Sequence, residues 1–315
     1  MKDKIIRLTK ILISLVLMIF LIRKIDYKEF TNILGKTSVL GVSVVVSAYV
    51  ASVVINAIKW RVLLPDTEIN FLIALCFRAQ FYSTVLPGQL FGEASKLTAW
   101  KNRKEDTAKV AASVIFDKIT AMVGQIIIGV FGIYLSKKAI VITNKWVIVV
   151  LLITGISCII LSVNSHIAAG IRRSIQMIGN VHESLTTKLL EIFDSWVFFS
   201  SDRMILLKSI VWGIMNQLLG IFAEWYLAKQ MGLQVAFVDF CWMILLMSIL
   251  LLLPVTFAGI GLRDTSLASM LSVFNVSTGS SLILSLSILL GQLVAAGIGG
   301  IYILKSNLIT NRKGG

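Results

Sequence analysis

Charge is scarce in this chain. Only 15% of its 315 residues are charged, and 57% are hydrophobic. Soluble domains carry about 25% charged residues, so the composition excludes an ordinary soluble protein and indicates an integral membrane one. Proline is scarcer still, with three residues, which excludes proline-rich linkers or tails. The three cysteines, Cys76, Cys158 and Cys241, all sit inside apolar runs, where their spacing suits neither a zinc site nor a disulfide framework. They read as core thiols. Both histidines, His166 and His182, fall in one polar loop, which argues against a buried histidine metal site. No DxD metal motif, nucleophile elbow, HExxH pair or intramembrane histidine is found, so we expect no enzymatic activity, no metal and no cofactor. Acidic residues are few: 16 Asp+Glu stand against 30 Lys+Arg, giving a net charge of +14. On a membrane protein that excess points to cytoplasmic loops and anionic lipid headgroups, not to nucleic acid.

What is abundant is apolar length. A spanning helix needs about 20 apolar residues. The sequence predicts six spans, at about 5–22, 39–58, 108–135, 146–163, 204–228 and 281–304, in a single transmembrane domain covering 1–315. The first apolar run is short enough for a signal peptide, but "RKIDYK" follows it without a small-residue cleavage site, so it reads as an anchor.

Two regions do not fit as spans. Residues 71–86 carry Arg78 in mid-segment and stop at Pro87, and 89–100 carries Glu93 and Lys96. Likewise 240–253 ends at Pro254, and 262–274 opens on Arg263-Asp264. At about 1.5 Å per residue, none crosses about 30 Å of hydrocarbon. Each pair is expected to form a re-entrant hairpin of two half-helices.

The order span, broken hairpin, span occurs at about 39–135 and again at about 204–304. Leu86-Pro87 answers Leu253-Pro254, Gly92 answers Gly259, and charges follow both. With both termini in the cytoplasm, most basic residues fall on the cytoplasmic side, as the positive-inside rule requires. The first hairpin then enters from the cytoplasm and the second from outside. Inverted repeats with broken helices are a transporter signature. Between the halves, at about 164–203, Ile167, Ile171, Ile175, Ile178, Leu185, Leu189, Phe193 and Trp196 recur at helical spacing. That segment is expected to be amphipathic and cytoplasmic, lying on the leaflet or docked on the protein's own spans.

A charge at the bilayer centre costs about 2.5–3.5 kcal/mol on insertion scales. Asp117 and Lys118 stand early in a span, Arg78 stands mid-segment, and Glu93, Lys96, Arg263 and Asp264 flank the breaks. Adjacent residues on a helix point about 100° apart, so Asp117 and Lys118 need partners elsewhere. We expect one polar cluster between the hairpins, with cations in slight excess. Helix N-termini after Gly88 and Gly261 would add positive dipole ends. A broken backbone at membrane depth is tolerated only when buried in protein or lining a wet cavity. The candidate binding or translocation residues are therefore Arg78, Pro87, Gly88, Gly92, Glu93, Lys96, Asp117, Lys118, Gly259, Gly261, Arg263 and Asp264. Gln89, Gln125, Asn216 and Glu224 are secondary candidates. The small residues Gly291, Ala295 and Gly299, with Ala296 and Gly300, are expected to serve close helix packing.

These residues resemble the flippase-like transmembrane family typified by the membrane domain of lysylphosphatidylglycerol synthases. The resemblance covers about 40–304 and rests on Arg78, Leu86-Pro87-Gly88, Gly92-Glu93, Lys96, Asp117-Lys118, Leu253-Pro254, Gly259, Gly261 and Arg263-Asp264. The family usually shows a Gly-Gly-acid run, then Arg, Asp-Arg and Gly-x-Arg-Glu. Here Phe91 replaces one glycine, Lys96 and Lys118 stand where Arg is usual, and Asp264 stands for Glu. Lysine keeps the charge but loses bidentate phosphate binding.

The resemblance implies a lipid flippase in the cell membrane, acting on an anionic, aminoacylated or polyprenyl-phosphate-linked lipid. Its partners would be phosphate-bearing lipid headgroups. The best-known members carry a soluble aminoacyl-transfer domain after the membrane part, whereas this sequence ends at Gly315. It is therefore expected not to aminoacylate lipids alone. The alternative is an accessory or scaffold subunit of a separate envelope lipid- or polysaccharide-modifying enzyme.

Overall fold

The computed structural model describes residues 35, 38–85, 89–98, 100, 107–138, 165–178, 183–251 and 260–313. The expected spans at 5–22 and 146–163, and the breaks at Pro87-Gly88 and Pro254 to Gly259, lie outside them. Among the described residues the fold is all helical, with no strand.

Among the described residues, ten helices follow in order: α1 Val39–Leu63, α2 Ile69–Val85, α3 Gln89–Thr98, α4 Thr107–Leu135, α5 Ser165–Ile178, α6 Glu183–Ser201, α7 Arg203–Gln230, α8 Phe237–Leu251, α9 Leu262–Ser272 and α10 Thr278–Lys313. Of these, α1, α4, α7 and the stretch Thr278–Lys305 of α10 are long and apolar enough to cross a membrane. At 17 and 15 residues, α2 and α8 extend only about 25 Å and 22 Å.

Local chemistry sets the ends. Ser38 Oγ accepts the Gly41 N–H at 3.3 Å and starts α1. Asp202 accepts the N–H groups of Met204 and Ile205, at 2.8 and 3.1 Å, and starts α7. Both satisfy orphan donors of a first turn. Gly261, at φ 84°, leads into α9 in a conformation other residues resist. The Asp264 carboxylate reaches back to the Gly261 N–H at 2.8 Å.

The packing interlocks. Helix α1 lies along α7, α2 lies on α1 and α10, and α8 lies on α7 and α4. Helix α3 packs back on α2 and touches α4, while α9 packs back on α8 and touches α10. Contacts of α1 with α10 and α4, and of α7 with α4 and α10, close the bundle.

Glycines allow the closest approaches. A Cβ on Gly92 would stand 2.5 Å from the Ala79 carbonyl, so the limbs of the first helix pair meet backbone to backbone. A Cβ on Gly299 would collide with the Phe77 carbonyl, and one on Gly132 would stand 2.7 Å from the Cys241 Cβ. Gly299→Ala should therefore lower stability by about 1–3 kcal/mol through overpacking. A Cβ on Gly297 would meet no atom of another element within 4 Å among the described residues, so Gly297→Ala should be neutral or stabilising by up to about 1 kcal/mol. Unfolding midpoints of the two variants in mixed micelles check this.

The segment between the halves forms two helices. Helix α6 docks on α4 and α7, with Phe116 meeting Trp196 at 5.2 Å and Phe199 at 5.7 Å between ring centroids. Its apolar face is thus spent on the protein's own spans. Helix α5 packs on α6, joined also by an exposed Arg172–Asp194 pair at 3.1 Å. Exposed pairs of this kind contribute only about 0–1 kcal/mol.

Candidate functional site

The buried ion pairs among the described residues fall into two groups, where the sequence suggested one cluster. The first lies where α1, α3 and α4 meet. Asp117 pairs with Lys59 at 3.0 Å, and the Lys59 ammonium also donates to the Asp117 backbone carbonyl. Lys59 is 1% exposed. Lys96 is also 1% exposed and pairs with Glu93 at 2.8 Å across one helical turn. The Lys96 ammonium sits 4.8 Å from the centroid of the Trp60 ring, on whose face a desolvated cation is held. The Trp60 indole donates to Ser113 Oγ at 3.0 Å and packs on Trp100, 5.6 Å away between centroids. Half-buried Lys118 acts electrostatically on both Lys59 and Glu93.

The second group lies at the start of α9, against α10. Arg263 is 2% exposed, and each of its nitrogens has a partner. Nε donates to Ser285 Oγ at 3.0 Å, Nη1 to Gln292 Oε1 at 3.1 Å, and Nη2 to Asp264 Oδ1 at 3.4 Å. Ser285 also donates to Asp264 Oδ1. Asp264 thus has three donors, including the Gly261 N–H. The Asp264 carboxylate takes up the Gly261 N–H ahead of α9 within the fold. The Tyr49 phenol interacts with Gln292 and Gln80, and Arg263 acts electrostatically on Tyr49 and Glu224.

Among the described residues, no ion pair joins the two groups. The remaining candidates take separate places. Gln125 donates to the Ile244 carbonyl at 3.3 Å and to Ser248, and accepts from Gln217 at 3.4 Å. It ties α4 to α8 and α7. Arg78 is half-buried on α2 and has no ion pair among the described residues. Asn216 Oδ1 and Glu224 Oε2 are buried without a hydrogen-bond partner among them. Gln89 opens α3.

Several residues escaped the sequence reading. Lys59 lies one residue beyond the span expected at 39–58 and is not among the candidates, yet it answers Asp117. The signal was Asp117 itself, which required a cation at its depth. Asp239, in the first turn of α8, accepts from Ser136 Oγ at 2.5 Å and from the Trp242 indole at 3.4 Å. Ser285 and Tyr49 carried no signal of their own. No cluster of three metal-ligating side chains occurs among the described residues.

A family model described as the lysylphosphatidylglycerol synthase transmembrane region matches residues 7–300. No curated protein and no solved structure matches the chain.

Proposed function

Since the chain belongs to the lysylphosphatidylglycerol synthase transmembrane-region family and is a multi-pass membrane protein, we propose that it moves a phosphate-bearing lipid between leaflets of the cell membrane. The lipid is anionic, aminoacylated or polyprenyl-phosphate-linked. Both termini face the cytoplasm, and the protein acts as a carrier rather than an enzyme.

The observation that carries this reading is the equivalence of the two halves. Exchange α1 with α7, α2 with α8, α3 with α9 and α4 with α10, and the main packing pairs among these eight helices map onto one another, the α1–α7 pair onto itself. At one constant sequence offset, Leu86 pairs with Leu253, Pro87 with Pro254, Gly92 with Gly259, Lys96 with Arg263, Gly124 with Gly291, Gln125 with Gln292 and Gly132 with Gly299. Topology by charge bias makes the halves inverted, with α2–α3 and α8–α9 entering from opposite faces as re-entrant hairpins. The first long limb of each hairpin docks on the last span of the other half, so the halves can rock against each other as alternating access requires.

Lys59, Lys96 and Arg263 are committed to carboxylates. Arg78 on α2 and Lys118 on α4 are half-buried cations left unpaired among the described residues, and they lie further into their helices than half-buried Lys109 at the start of α4. We assign the headgroup phosphate to them, with the acyl chains remaining in lipid. The test is lipid movement in liposomes holding the purified protein, with fluorescent phosphatidylglycerol, lysylphosphatidylglycerol and a polyprenyl phosphate as probes. Arg78→Gln and Lys118→Gln should each slow one probe about tenfold or more, since a hydrogen bond to a charged group contributes about 1.5–3 kcal/mol, while leaving unfolding midpoints unchanged. Movement of no probe by folded protein, or equal movement of all in both variants, overturns the proposal. A co-purifying lipid-modifying enzyme would then favour an accessory role.

A further inference from the structure

One acidic group takes no part in either ion cluster. Glu224 lies on α7 with Gly220 and Asn216 one and two turns before it, all on one face. Gly213 and Leu227 on the same side of the helix are buried. Yet no atom among the described residues lies within 4 Å of a Cβ built on Gly220. The inner face of α7 therefore holds a cleft at Gly220. Each end of the cleft carries an acceptor without a donor: Asn216 Oδ1 at one end and Glu224 Oε2 at the other.

Among the described residues, no cation forms an ion pair with Glu224. Arg263 is the charge acting on it, and three of the five Arg263 N–H donors go to Ser285, Gln292 and Asp264, with none bonded to Glu224 among the described residues. Tyr49 from α1 engages Gln292 and Gln80. Helix α4 offers Gln125, already bonded to Gln217, Ser248 and Ile244. The acid of α8, Asp239, is held by Ser136 and Trp242. Lys229, further along α7, is exposed and rests 5.0 Å from the centroid of the Trp225 ring. A carboxylate in a low-dielectric interior without a counter-ion recruits one.

We infer that the Glu224 carboxylate, beside the open space at Gly220, is a loading site for a small exchangeable cation, either a proton or an alkali-metal ion. The inference rests on the proposed lipid transport only in giving that cation a use, as the driving ion. Binding itself does not depend on which lipid moves. Glu93 and Asp117 cannot take this part as they stand, because each is paired with a lysine.

The experiment uses the full chain in nanodiscs. Infrared difference spectra on a pH step are recorded in choline chloride, and thermal midpoints are compared in sodium and choline chloride at equal ionic strength. A carboxyl band that appears with acid in the native protein, is indifferent to sodium and is absent from Glu224→Gln identifies a proton. A midpoint that rises with sodium in the native protein, but not in Glu224→Gln, identifies an alkali cation. Gly220→Leu fills the cleft and keeps the carboxylate, and should weaken either response at least fivefold. Native-like pH and sodium responses in Glu224→Gln, or in Gly220→Leu should Glu224→Gln fail to fold, overturn the inference. Loss of lipid transport alone would bear on the proposed function and leave this result standing.

Discussion

Lys59→Met should destabilise the protein by about 3–5 kcal/mol, as expected when one partner of a buried ion pair is removed. The variant leaves Asp117 4% exposed, deep in α4, without its cation. Its neighbours cannot compensate. Lys96 is held by Glu93 and Trp60, and Lys118 projects about 100° away from Asp117 on the same helix. The ammonium also caps the Asp117 backbone carbonyl, so two contacts go at once. The decisive comparison is Lys59→Met with Asp117→Leu. Both charges are then gone, the desolvation cost disappears, and the double variant should recover most of the loss or exceed native stability. Unfolding in mixed micelles, read by tryptophan fluorescence with Trp60 beside the lesion, gives all three midpoints. Equal losses in the single and double variants would mean that packing of the lysine stem, not charge, holds this junction.

The same lysine shows how far sequence reaches. The spans read at 39–58, 108–135, 204–228 and 281–304 correspond to α1, α4, α7 and α10, because twenty apolar residues in a row have few other uses. Their ends run longer in the fold. Helix α1 continues through Lys59 to Leu63, since a lysine can stay helical at a span end and bury its stem and charge against a partner. The pattern ends this span just before Lys59, whereas the helix runs on to its C-cap Leu64, whose N–H bonds back to the Trp60 carbonyl. The charged candidates were legible because charges in oil are conspicuous. Their grouping was not legible. Whether Lys96 meets Arg263 or Trp60 depends on which helices touch, and a one-dimensional pattern does not carry that. The close-packing role of Gly291 and Gly299 was legible, because small residues at helical spacing let neighbouring helices approach.

Arg263→Gln should cost about as much, about 3–5 kcal/mol, for a different reason. The guanidinium is a three-way bridge. It ties its own helix α9 to α10 at Ser285 and Gln292, and it holds Asp264, whose other oxygen caps Gly261. Glutamine is shorter, carries no charge and cannot reach all three. Arg263→Lys tests geometry against charge. A lysine keeps the positive charge but is a point donor without the planar fork, so it should retain the Asp264 contact and lose the span to Gln292. A partial loss, roughly half that of the glutamine variant, is expected by the strength of charge-assisted over neutral hydrogen bonds. Asp264→Asn alone should also destabilise, yet adding it to Arg263→Gln should cost little more, because the pair acts as a unit. Amide exchange in the first turn of α9 supplies the local readout. It should accelerate in Arg263→Gln while exchange in α1 and α4 follows the global loss only. If α9 exchanges at the native rate in the variant, then packing of Leu267 and Leu271 holds this helix, and Arg263 is held in place by the fold rather than holding it.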